Sequence, residues 1–158
     1  MNQEPENNES AIRAGRHYYN PIQKDYVTFL NTSAETGGRR THAEVEVAPG
    51  GGTPPHYHKT YDERFEVHEG ELEVMLGKDR HTLRPSRRAV APKNTLHCFK
   101  NPTGEPTTFL VEMRPGQPEF EKAVKVRYGL AADGRNPLYH RYQLAVIPQW
   151  SEIRMTGV

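Results

Sequence analysis

From Tyr26 to Met113 the chain is interrupted at short intervals by residues that end secondary structure. These are Thr36-Gly37-Gly38, the run from Pro49 to Pro55, Glu69-Gly70, Gly77-Lys78-Asp79, Pro85-Ser86 and Asn101 to Gly104. Glycine supplies the left-handed backbone that turns require, and proline removes a backbone donor, a mix that suits short strands joined by many turns better than long helices. Thr41 to Val47 alternates strictly, with Ala43, Val45 and Val47 on one face and His42, Glu44 and Glu46 on the other, the pattern of a half-buried strand. Further strands are predicted at Tyr26 to Leu30, Arg64 to Val67, Glu71 to Leu76, His81 to Leu83, Ala89 to Ala91, His97 to Lys100 and Thr107 to Met113. Many short strands with regular turns imply an all-β sandwich or barrel.

The flanks differ. Residues 1–15 are polar, rich in Asn, Glu and Pro, and are expected to form a disordered tail; residues 16–116 form the barrel domain. Residues 117–158 read as a helical extension packing on the barrel or on a partner subunit. Phe120, Ala123, Val124 and Arg127 have helical spacing, with Gly129 placed to end that helix. A second helix is predicted from Asn136 as N-cap and Pro137 at the first helical position, with Leu138, Tyr142 and Ala145 as its apolar face and a stop at Pro148. With 158 residues the chain suffices for one domain.

Charge narrows the partners. The formal net charge is +1, from 21 basic and 20 acidic residues, so no sustained positive field favours a nucleic acid or an anionic membrane. A small molecule is the expected partner. Cys98 is the single cysteine, which excludes an intramolecular disulfide and any CxxC metal or redox site. The first ten residues are acidic where an export signal is basic and then apolar, and no apolar run nears the ~20 residues of a spanning helix. A cytoplasmic location is expected.

His56 and His58 carry the chemical signal. Side chains two apart on a strand share a face, which sets these imidazoles on one side with Cα atoms ~6.6 Å apart. Glu63 follows at an odd offset and would face the other way on an uninterrupted strand. The chain must therefore bend through Lys59 to Asp62, after which Glu63, Phe65 and Val67 share a face.

The series Gly50, five residues, His56-Tyr57-His58, four residues, Glu63, six residues, Gly70 resembles the complete first motif of the cupin superfamily. Its second motif, Gly, five residues, Pro-x-Gly, two residues, His, three residues, Asn, is matched by Pro92, His97 and Asn101 but not by its glycines. Ser86 and Asn94 stand in their places. Asn tolerates the left-handed conformation, and Ser86 after Pro85 suits an ordinary type I turn. The resemblance implies a double-stranded β-helix, or jelly-roll, barrel with His56, His58, Glu63 and His97 converging on a divalent metal ion. Three imidazoles and a carboxylate suit Fe, Mn, Ni, Co, Cu or Zn, and six-coordination leaves two open positions. A closed structural zinc would typically include cysteine.

Around this set, Phe65, Phe99, Phe109, Val111 and Met113 have the parity to line a pocket or fill the core. Tyr61 and Tyr57 flank ligands, and Tyr61 together with Glu63 is the candidate for proton transfer. Asn101 is expected to fix the turn into Pro102 rather than to orient His97, Cys98 to point away from the metal face, and His68 to be exposed. The expected function is that of a metal-dependent enzyme on a small oxygenated molecule, a dioxygenase with a redox metal or an isomerase or lyase otherwise. The alternative is a sensor or carrier that binds without turnover. The family also implies a homodimer through barrel edges.

Overall fold

Inward-facing alternation is what assembles the molecule. A computed structural model describes residues 15–146, in which nine strands form two antiparallel sheets. The strands are β1 (His17–Asn20), β2 (Asp25–Asn31), β3 (Thr41–Val47), β4 (Asp62–Glu69), β5 (Leu72–Leu76), β6 (Asp79–Leu83), β7 (Arg88–Ala91), β8 (His97–Lys100) and β9 (Thr107–Arg114). Six strands run in the order β1-β2-β3-β9-β4-β7, and three in the order β6-β5-β8. Bridges at Gly52–Lys100 and His56–His97 tie the loop before β4 to the smaller sheet. The two sheets close on one core, and the expected jelly-roll barrel is observed.

Register explains which face is buried. Ala43 pairs with Val111 and Val45 with Phe109 across β3 and β9, while Phe65 pairs with Val111 and Val67 with Phe109 across β4 and β9. These residues form one continuous core with Val27, Phe29, Leu72, Val74 and Phe99. Their parity carries Glu63 inward too, opposite Met113.

Two helices follow, α1 (Pro118–Ala132) and α2 (Asn136–Val146). Helix α1 packs on the edge strand β1, burying Val124 and Tyr128 against the core, and α2 packs on α1. Three helical expectations are corrected. Gly129 lies inside α1, which continues to Asp133 as its C-cap. Asn136 is already helical in α2, so it is not the N-cap. The buried face of α2 is Tyr139 and Gln143, whereas Leu138 and Ala145 are exposed. Tyr139 is held inward by hydrogen bonding to Asn20 on β1, a partner with no local sequence signal. Strand β1 was also not predicted, since His17-Tyr18-Tyr19-Asn20 lacks apolar alternation. The predicted stop at Pro148 and the tail at 1–14 lie outside the described residues. No described helix is long and apolar enough to cross a membrane.

Candidate metal centre

Glycines set the ligand loop against the barrel. A Cβ on Gly51 would come within 2.6 Å of the Gln23 carbonyl oxygen, and one on Gly52 would collide with that of Phe99. Only an unsubstituted backbone can run this close to β8. The loop then delivers His56 into its bridge with His97, and Lys59-Thr60 form the bend required to bring Glu63 round. His56 and His58 sit on this extended loop rather than in a strand, yet both imidazoles reach the same point.

The ligand atoms of His56, His58, Glu63 and His97 all lie within 4.8 Å of one another. A cation bound at ~2.1 Å would hold its donors roughly 3–4.2 Å apart, so modest adjustment suffices. His56 and His97 each donate from Nδ1 to the carbonyl two residues before, Pro54 and Thr95, both at 2.8 Å. This turns each Nε2 toward the centre, the arrangement that orients histidine ligands. Glu63 Oε2 stands 3.0 Å from His97 Nε2 and 3.4 Å from His58 Nε2. His58 Nδ1 lies 2.8 Å from Tyr61 Oη, with the two rings stacked. The donor set is buried, His58 being the most accessible with 11% of its side chain exposed.

Electrostatics within the cluster is mutual. Burial alone would raise the Glu63 carboxyl, but hydrogen bonds from His58 and His97 hold it well below the usual carboxylate range. Burial would lower His97, and the Glu63 contact outweighs it and raises the imidazole. His56 is held well below its ordinary value by burial and by the neighbouring His97 and His58. Three imidazoles and an ionised carboxylate in an apolar interior suit a divalent metal, whose charge offsets what the protein has buried.

The centre opens into a barrel cavity of about 60 Å³. Phe65, Phe99 and Val111 line it. Phe109 and Met113 do not; both are packed into the core beneath, at 0% and 1% exposure. Tyr61, predicted as a proton-transfer residue, stands behind His58 on an outer pocket and lines no part of the cavity, so it positions His58 instead. Cys98 is buried on the opposite face of β8, and Asn101 fixes its turn by bonding Thr103, Glu105 and Val47. His68 is exposed. Sequence reasoning missed Gln23, Asp25, Arg127 and Tyr128, which form the polar part of the cavity wall.

A family profile described as a cupin domain matches residues 43–113, the segment that carries all four ligands. That segment is a cupin domain. Solved structures superpose on the chain. TT1209 from Thermus thermophilus is 26% identical with a TM-score of 0.56, over 65% of this chain and 93% of that one. A sugar phosphate isomerase of the cupin superfamily from Silicibacter pomeroyi is 28% identical with a TM-score of 0.52, over 59% and 60%. KdgF from Halomonas sp., at 18% identity and a TM-score of 0.58 over 65% and 89%, is alike in fold. No curated protein matches this cupin in sequence.

Proposed function

We propose that this cupin is a metal-dependent enzyme acting on a small oxygenated molecule, of dioxygenase or of isomerase and lyase type. The observation that carries this reading is a four-residue donor set facing a barrel cavity with largely apolar walls, where a ligand can reach the centre. A divalent metal held by His56, His58, Glu63 and His97 would supply Lewis acidity toward an oxygen of the ligand. The protein's own contribution is orientation and dryness. Pro54 and Thr95 lock two imidazoles through Nδ1, Tyr61 steadies the third, and Phe65 and Phe99 keep bulk water away. The isomerase named among the similar structures supports the non-oxidative arm.

The test is turnover of a panel of carbonyl, enediol and phenolic compounds by protein loaded with Fe, Mn or Zn. Oxygen uptake and product formation are followed together. Turnover by the parent is expected, with a fall of about a hundredfold or more in Glu63→Gln. Ligand binding without turnover across the panel would contradict the enzymatic reading and support a sensor or carrier.

A further inference from the structure

The cavity has a second polar pole. Asp25 opens β2, where it pairs with Val47 and so falls on the same inward face as Val27 and Phe29. It is 1% exposed and lines the cavity that also holds the four metal-ligand candidates. Gln23 Nε2 donates to Asp25 Oδ2 at 3.1 Å and to Tyr128 Oη at 3.0 Å, and Tyr128 in turn hydrogen-bonds the Asp25 carboxylate. Arg127 Nη2 donates to Gln23 Oε1 at 3.0 Å. Behind them, Asn20 Oδ1 accepts from the backbone N–H groups of Ile22 and Gln23, which fixes the turn that presents Gln23.

An acceptor in the cluster stays unused. Asp25 Oδ1 is buried and meets no hydrogen-bond donor among the described residues. A buried carboxylate oxygen without a donor is costly, and the neighbouring inward positions of β2 carry Val27 and Phe29, which avoid that cost. Such an arrangement fits a site prepared for a donor that arrives with a ligand.

Resting on the metal-centre reading above, we propose that Asp25 Oδ1 is a specificity-determining acceptor for a hydroxyl group of the ligand. The ligand class is then a small hydroxylated acid, bound by its carboxylate at the metal centre and by its hydroxyl at Asp25. The cavity of about 60 Å³ limits it to on the order of four to six non-hydrogen atoms.

The test is calorimetric titration of metal-loaded protein with paired probes: glycolate against acetate and 3-hydroxypropionate against propionate. In the parent at least one hydroxy acid should bind about tenfold more tightly than its partner, the range expected for a hydrogen bond to a buried charged group. In Asp25→Asn that preference should fall below about threefold, with metal content and affinity for the unhydroxylated acid unchanged. Absence of preference in every pair for the parent, an arm that needs no variant, overturns the proposal. So does a preference that survives in Asp25→Asn. Metal retained in both proteins confines that failure to the Asp25 subsite, whereas absence of metal from both overturns the metal-centre reading and this proposal with it.

Discussion

Burial lifts the Asp25 carboxyl from the ordinary 3.8 to about 6, against hydrogen bonds from Tyr128 and Gln23 and the charge of Arg127, which pull it down. Because the folded chain holds this proton more tightly than the unfolded one, stability falls as pH rises from 3.8 through 6 and stays lower above. At about 1.4 kcal/mol per pH unit the loss approaches roughly 3 kcal/mol at neutral pH. Asp25→Asn removes it. Denaturant unfolding should therefore show the variant gaining on the parent by about 2–3 kcal/mol between about pH 4 and pH 8; a difference independent of pH would contradict the assignment. Residue by residue, legibility in the sequence followed local geometry. His56 and His58 were readable from two-residue parity. Asp25 carries the same parity signal with Val27 and Phe29, but a strand begun at Tyr26 leaves it outside. Gln23, Arg127 and Tyr128 reach the cavity only through packing of α1 on β1, which no local pattern encodes.

Turns and loops decide where the elements hold their ligands. Ser86 and Asn94 replace the glycines of the second motif, and both keep glycine's backbone, at φ 70° and 64°. For Asn94 this was expected. Ser86 corrects the sequence reading: Arg87 N–H bonds the Arg84 carbonyl, and a positive φ after Pro85 is that of a type II turn, not type I. Ser86→Gly should relieve the strain and stabilise the protein by about 0.5–1 kcal/mol in thermal or chemical unfolding, with metal binding unchanged. Loss of stability would refute that account. Gly52 is the opposite case. Its φ is 155°, and a Cβ there meets the Phe99 carbonyl oxygen, so Gly52→Ala should push the loop off β8, cost roughly 1–3 kcal/mol and weaken metal retention through His56. Unchanged stability and metal content would show that the close approach is not needed. The existence of every strand but β1 was legible because alternation and turn residues are local. The ends of α1 and the face of α2 were not, because Tyr139 and Gln143 are buried by contacts with distant elements.

For the whole molecule, the barrel and the C-terminal helices act together. Helix α1 contributes Phe120, Val124, Arg127 and Tyr128 to the wall of the cavity whose other pole is the donor set. The cavity thus has one end, lined by the donor set, that was read from motif spacing and a polar end visible only in three dimensions. The four ligands do not stand equally. His56, His58 and Glu63 belong to a complete motif, while His97 belongs to one that lost both glycines, yet its Nε2 stands 3.0 Å from Glu63 and its ring is locked by Thr95. The most direct test is elemental analysis of the purified protein beside folded His97→Ala, with folding checked by circular dichroism. The account predicts about one divalent metal ion per chain in the parent and loss of most of it in the variant. Equal and negligible metal in both would contradict it.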